Sequence, residues 1–299
     1  MKLFINNIIK FTFLTVLVYI IALGILGITK VNTKGLNFSS LNPGRVKLRI
    51  DDISHYDSLG ILFLGSSHTF MGFDPRIFKK KNYDVFNFGS LAQTPIQTEY
   101  LYMRYAKKIK TDLIVFEINP QIISNKGIES NIDLLNSIEI DAPLSQMSVK
   151  TENLTVINTL VFRFIQDLFC YEIEYPGLGP YIKGTGYAPN KNKNIQPSII
   201  HERKAFRIER KQIGALKRLI DFWEKSDIKF LLVQAPVTKK FYNSIENSSE
   251  IDSVFKSLGS YINYNKRLNL NDSLDFCDFH HLNQEGVNKF NPILLNDIK

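Results

Sequence analysis

The chain has 299 residues, 44% of them hydrophobic, with 22 Phe and 13 Tyr, which excludes wholesale disorder and leaves room for one large domain or two small ones. Its formal net charge is +8, from 37 basic and 29 acidic residues. Residues 183–218 hold ten Lys/Arg and two Glu, so this one segment equals the whole excess. That pattern suits a solvated helix face, or attraction to an anionic glycan or to phospholipid headgroups. No nucleic-acid recognition motif accompanies it, and nucleic acid is not an expected partner.

The first element is a run of nineteen uncharged residues, 11–29, preceded by Lys2 and Lys10. A helix rises about 1.5 Å per residue, so the run nearly spans a hydrocarbon core of ~30 Å. A signal peptide has a shorter apolar region, of about 7–15 residues, and a small-x-small cleavage site. An uncleaved anchor over residues 1–30 is therefore expected. Lys30 and Lys34 follow the run, so the basic flanks orient it only weakly, toward a cytoplasmic N-terminus. That orientation puts the following domain outside the cytoplasmic membrane.

Residues 31–57 are polar and broken by Gly35, Pro43 and Gly44, and read as a linker. Then an α/β pattern begins. Residues 60–65 (GILFLG) and 84–88 (DVFNF) are short apolar runs that predict buried strands. Thr94-Pro95-Ile96-Gln97 opens a helix with a capping residue, a first-turn proline and a capping-box glutamine. Its apolar stripe is Ile96, Tyr100, Met103 and Ala106. Residues 113–118 (LIVFEI) predict a third strand. Phe206, Ile213, Leu216, Ile220 and Trp223 recur at helical spacing and lead into a fourth strand at 228–233, and a last helix covers about 286–298. Continuously apolar strands alternating with helices imply a parallel sheet covered on both faces, a three-layer α/β/α domain over 58–299. Residues 124–200 fit this pattern poorly. They read as an insertion over the active face, with 175–197 a long Gly-, Pro- and Asn-rich loop.

Two short segments could carry chemistry. Gly65-Ser66-Ser67-His68-Thr69 follows the first strand, at the edge where open parallel sheets bind ligands. Gly-Ser-Ser is also a common turn or helix cap. Asp278-Phe279-His280-His281-Leu282-Asn283 lies near the C-terminus and holds two of the five histidines. A serine hydroxyl needs a positioned base, and the base needs an acid to fix its tautomer. An Asp three residues before a His can supply that acid from one turn. His68 is expected to be a supporting or surface residue, and His280 to project away from His281. Glu117 is a candidate buried carboxylate without an assigned role. Outside the cytoplasm Cys170 and Cys277 could pair in a disulfide; two buried thiols are the expected state, and their spacing suggests no metal site. No cofactor motif is present.

Together the two segments resemble the SGNH/GDSL hydrolase superfamily, whose nucleophile block is Gly-Asp-Ser after the first strand and whose last block is Asp-x-x-His. Here Ser66 replaces the Asp before the nucleophile, which resembles the membrane-anchored SGNH-like proteins of surface-polymer acylation, of the alginate acetylation and D-alanylation groups. The resemblance implies Ser67 as nucleophile, Asp278 as orienting acid and His281 as base, on an SGNH/flavodoxin-like fold. His281-Leu282-Asn283-x-x-Gly286 is similar to that family's ending. Asn87-Phe88-Gly89 resembles the second block, and Glu117-Ile118-Asn119-Pro120 stands where the third block keeps its Asn. Ser67 and Gly89, through their backbone N–H groups, and the Asn119 side chain are thereby implied as oxyanion donors. The matching regions are 57–123 and 226–298.

These readings converge on a membrane-anchored, extracytoplasmic serine esterase or O-acyltransferase acting on a cell-envelope glycan or similar polymer. The expected partners are an acylated glycan or other ester substrate and the membrane through residues 11–29. An acyl-donor membrane protein is a further candidate. Two alternatives stay open: a non-catalytic SGNH-fold binding or assembly subunit, and a lipase-like esterase held near lipid.

Overall fold

The computed structural model describes residues 1–28, 45–169, 180–190 and 202–298. The chain divides into two compact units. One comprises residues 1–44 and 131–177, the other residues 45–130 and 178–299.

The second unit is built on a five-stranded sheet. Its strands are β1 (Ser58–Leu64), β2 (Val85–Asn87), β3 (Lys110–Glu117), β4 (Lys229–Gln234) and β5 (Tyr261–Asn263). Their order is β2-β1-β3-β4-β5, and every pairing is parallel. The four strands expected from apolar runs are thus neighbours in one sheet. The fifth is not marked by an apolar run, because Tyr261–Asn263 holds a single aliphatic residue.

Side chains alternate across the sheet. Ile61 and Phe63 of β1, Val115 of β3 and Val233 of β4 face a cluster that includes Phe73, Phe78, Phe290 and Leu294. Those partners lie in or beside the helices Ser67–Gly72, Pro75–Lys79 and Gln284–Asp297. On the opposite face Phe116 of β3 and Phe230 of β4 meet Trp223 edge-on or tilted, and Tyr102 packs against the same indole. Trp223 belongs to the helix Arg210–Lys225 and is fully buried. Truncating a Trp in such a setting costs about 3–5 kcal/mol. Helices on both faces make three layers.

Local expectations were adjusted in three places. The helix begun by Thr94 spans Pro95–Leu101 and continues through a wider turn over 102–106. Its buried face is Gln97, Thr98, Leu101, Tyr102 and Ala106, while Ile96, Tyr100 and Met103 are half-buried. The wide turn rotates the later residues past the regular stripe. Thr94 holds the cap position, but its hydroxyl donates to the Gln97 side chain and caps no backbone N–H. Finally, Arg45–Ile53, inside the expected linker, is an amphipathic helix whose Val46 and Ile53 are buried.

The expected insertion is divided between the units. Among the described residues, 131–169 group with the N-terminus, and 124–130 and 180–190 with the sheet. Within the described part, residues 180–190 lie along the β2 edge, where Asn87 N–H donates to Thr185 O at 3.0 Å. A side chain at Gly186 would meet Asn87 O at 1.7 Å, so only glycine permits this approach.

In the first unit the helix Lys2–Ile28 has a mean hydropathy of 2.4 over its most apolar window. It is long and apolar enough to cross a membrane, a test that an N-terminal signal sequence also passes. Only its C-terminal end is packed. Leu23 clusters with Phe162 of the helix Leu154–Leu168, Gly27 lies directly under the Phe162 ring, and Tyr19 Oη donates to Asn158 Oδ1 at 2.6 Å.

Candidate active site

The site forms beyond the carboxyl ends of β1 and β3. After Leu64 the chain turns sharply at Gly65, whose φ is +137°. A Cβ there would lie 2.4 Å from Thr69 Oγ1 and 2.7 Å from Glu117 O, so the turn requires glycine. Ser66 then caps the helix Ser67–Gly72, its Oγ accepting from His68 N–H at 3.3 Å. This places Ser67 on the first turn of that helix with its side chain toward the C-terminal loop.

The loop is shaped by Asn283. Its Oδ1 accepts from Gly286 N–H at 3.1 Å and caps the last helix, while its Nδ2 donates to Leu274 O and Phe276 O. Asn283 N–H donates to Asp275 O, and Cys277 N–H to His281 O, so residues 275–283 close into a tight loop. Gly286 has Asp275 O where a Cβ would sit, at 2.1 Å. The His-Leu-Asn-x-x-Gly ending is therefore a device that ties the loop to the helix.

Inside the loop, Asp278 Oδ1 accepts from the backbone N–H of His280 and of His281, at 2.9 and 2.8 Å. Its Oδ2 lies 2.7 Å from His281 Nδ1. His281 Nε2 lies 2.8 Å from Ser67 Oγ. The structure thus brings Ser67, His281 and Asp278 into one hydrogen-bonded chain. Burial alone would raise the Asp278 carboxyl, but the hydrogen bond from His281 and the nearby imidazoles outweigh it and hold its pKa well below the usual carboxylate range. Burial holds the His281 imidazole below its ordinary value, opposed by the hydrogen bond to Asp278 and helped by the neighbouring His68. The resting base is therefore a neutral imidazole with Nδ1–H on Asp278 and a lone pair on Nε2.

The other two expected oxyanion donors are engaged. Gly89 N–H donates to its own segment's Asn87 Oδ1 at 3.2 Å. Asn119 caps the helix Pro120–Ser124 with its Oδ1, and its Nδ2 contacts Glu117 Oε1 at 3.0 Å and His68 Nδ1 at 3.3 Å. The proline at 120 and the buried Glu117 explain this: Asn119 serves a helix start on one side and a carboxylate on the other. Ser67 N–H, by contrast, stands at the first helical position, where no intrahelical acceptor exists.

No protein-family model and no curated protein matches the chain. Among solved structures it is similar to a GDSL-like lipase from Bacteroides thetaiotaomicron, at 11% identity over 81% of this chain and 87% of that one, with a TM-score of 0.40. It is also similar to a protein provisionally described as a platelet activating factor from Streptococcus pneumonia, at 10% identity over 85% and 91% of the two chains, TM-score 0.44. A third, provisionally an acylhydrolase from Bacteroides fragilis, shares 14% identity over 68% and 88%, TM-score 0.23.

Of the two histidines beside the serine, His68 takes a supporting place and His280 differs from expectation. His68 is buried, its Nδ1 lying 3.4 Å from Glu117 Oε1 and its Nε2 2.9 Å from His280 Nδ1. His280 does not project away: its ring centroid is 3.8 Å from that of His281, and the Phe279 ring stacks on it at 4.4 Å. An extended strand would have separated successive side chains, but Asp278 Oδ1 gathers both amides into a turn. Glu117 is fully buried and accepts from Ser66 Oγ at 3.0 Å as well as from Asn119. Adjacent His and Glu residues were visible in the sequence, but only folding sets them around one serine. Among the described residues Cys277 has no disulfide partner; burial holds its thiol above the ordinary pKa, at about 12, and Asn190 Nδ2 lies 2.9 Å from its sulfur. Cys170 lies outside the described residues.

Proposed function

We propose that this chain is a serine ester hydrolase of the SGNH/GDSL type, with Ser67 as nucleophile, His281 as general base and Asp278 as orienting acid. The observation that carries the reading is the unbroken hydrogen-bond chain from Ser67 Oγ through the His281 ring to Asp278. Attack by Oγ on an ester carbonyl passes the Ser67 proton to His281 Nε2, and Asp278 stabilises the imidazolium that forms. Ser67 N–H faces the developing oxyanion; Gly89 N–H would join it by releasing Asn87. His281 returns the proton to the leaving alcohol, which leaves an acyl-serine. Water, deprotonated by the same imidazole, then releases the acid. A sugar hydroxyl in place of water would make the enzyme an O-acyltransferase.

We further infer a membrane-anchored enzyme whose catalytic unit faces the outside of the cytoplasmic membrane and acts on an acylated envelope glycan. The long apolar N-terminal helix and the basic segment 183–218 support this reading. The deciding experiment is labelling of the full chain with a fluorophosphonate probe. Wild type should be labelled and Ser67→Ala should not; equal labelling would exclude Ser67 as the nucleophile. A non-catalytic subunit that keeps the fold is the competing reading, and it is favoured by the engaged amides of Gly89 and Asn119. Absence of labelling in a wild-type chain that binds an acylated glycan would support it.

A further inference from the structure

His68, His280 and His281 each bring a ring nitrogen within 4.8 Å of the other two. Two of the three have a carboxylate on the far side of the ring: Asp278 is hydrogen-bonded to His281 Nδ1 at 2.7 Å, and Glu117 Oε1 lies 3.4 Å from His68 Nδ1, which also meets Asn119 Nδ2 at 3.3 Å. A carboxylate behind a histidine fixes the tautomer that leaves the opposite nitrogen with a lone pair, and it is the usual support of a histidine metal ligand. Asp278 leaves His281 Nε2 as a lone-pair donor, and His68 with its proton on the Nδ1 that faces Glu117 offers its Nε2 in the same way, 2.9 Å from His280 Nδ1.

We propose that these three histidines form a site for a zinc ion or similar divalent transition metal, and that its occupancy switches the serine site off. Three imidazoles are a common ligand set for zinc, which sits about 2.0–2.1 Å from each nitrogen and so separates nitrogens by roughly 3.3 Å. The 2.9 Å gap between His68 Nε2 and His280 Nδ1 has to open by a few tenths of an ångström, and the nitrogens, all within 4.8 Å of one another, have to close by up to about 1.5 Å around the ion. The change balances within the rings. In the free site one proton lies between His68 Nε2 and His280 Nδ1. On binding, His280 shifts it to its own Nε2, which faces Asp278 Oδ1 at 3.8 Å, and all three ligands are neutral imidazoles. The His68 side chain is 3% exposed, His281 12% and His280 21%, so the ion has a way in past His280. The fourth position falls toward the Ser67 side of His281. An ion on His281 Nε2 takes the lone pair that must accept the Ser67 proton, so metal binding and acyl transfer are mutually exclusive. Binding rests on the geometry alone, while inhibition rests also on the hydrolase reading above.

The test uses the full chain in detergent, without a polyhistidine tag, stripped with a chelator and dialysed. Cobalt(II) is titrated and followed by its visible d–d bands, then displaced with zinc to give stoichiometry and Kd. One ion per chain, with the intense bands of tetrahedral cobalt, is expected. His280→Ala and His68→Ala should each weaken zinc at least tenfold. Glu117→Gln, which keeps all three ligands, should weaken it by about 10- to 100-fold through loss of the backing carboxylate. His55→Ala should change nothing. His280 is the most exposed of the three, so its variant keeps the test decisive if His68→Ala fails to fold. Zinc affinity unchanged in His280→Ala, or no uptake by the wild type at micromolar metal, overturns the site. In turnover of a p-nitrophenyl ester, the zinc inhibition constant should follow Kd and rise with His280→Ala. Zinc bound in the expected stoichiometry without inhibition would overturn the switch, and zinc bound by a chain with no ester turnover would overturn the hydrolase reading while leaving the site standing.

Discussion

His281 Nε2 lies 2.8 Å from Ser67 Oγ, although 214 residues separate them in the chain. The distance is within the range for proton transfer from a hydroxyl to a positioned base. If this contact is catalytic, Ser67→Ala and His281→Ala should each lower ester turnover by about 10³-fold or more, and Asp278→Asn by less, because the base remains when its orientation is lost. The three act as a unit, so Ser67→Ala combined with His281→Ala should be no worse than Ser67→Ala. Steady-state kinetics on a p-nitrophenyl ester, with circular dichroism to confirm folding, checks all four. An active Ser67→Ala enzyme would refute the mechanism.

The pH profile follows from the direction of the His281 shift. Burial lowers this pKa from its ordinary 6.5, so the lone pair on Nε2 persists to more acidic pH than in a free imidazole. Activity is lost as pH falls through the lowered value, which puts the acid limb of kcat/KM below pH 6.5. His68 contributes to the lowering, and Asp278 opposes it. His68→Gln should therefore move the limb up in pH, and Asp278→Asn should move it down. Profiles are measured in chelator; a wild-type limb above pH 6.5 would contradict the assignment of His281 as base.

Two glycines seven residues apart should respond to alanine in opposite ways. Gly65 has φ +137°, with Thr69 Oγ1 and Glu117 O where a Cβ would go, so Gly65→Ala should destabilise by about 2 kcal/mol or more and disturb Ser67 as well. Gly72 ends the helix Ser67–Gly72 and has open space around its would-be Cβ. Gly72→Ala should be neutral or add up to about 1 kcal/mol, because alanine loses less backbone freedom on folding. Thermal or urea unfolding of the two variants is the measurement. Equal losses would mean that the Gly65 turn is not the strained one.

Membrane association has a direct check. The helix Lys2–Ile28 should pellet the chain with membranes, and removing residues 1–28 should release it. In intact cells stripped of their outer layers, residues 45–298 should be open to added protease while the N-terminus stays protected. An intact soluble cytoplasmic chain would remove both the anchor and the proposed envelope substrate.

Read alone, the sequence was sufficient for the fold class and for the three residues that the structure joins. Runs such as Leu113–Phe116 are apolar at every position because both faces of a parallel strand are covered, and that pattern needs no tertiary information to be seen. Ser67 and the Asp278–His281 pair stood out because each sits in a short stretch whose residue types make sense together. The surroundings of the serine were a different matter. The burial of His68, the turn that stacks His280 beside His281, and the capture of the Asn119 and Gly89 amides depend on packing between segments far apart in the chain. A donor's partner is whichever acceptor the fold brings within about 3 Å, and no local pattern of residue types encodes that distance. The strand β5 and the helix Arg45–Ile53 were missed for a related reason. β5 holds one aliphatic residue and five of the nine residues of the helix are charged, so neither stands out as apolar, and both are held by the tertiary structure they pack against.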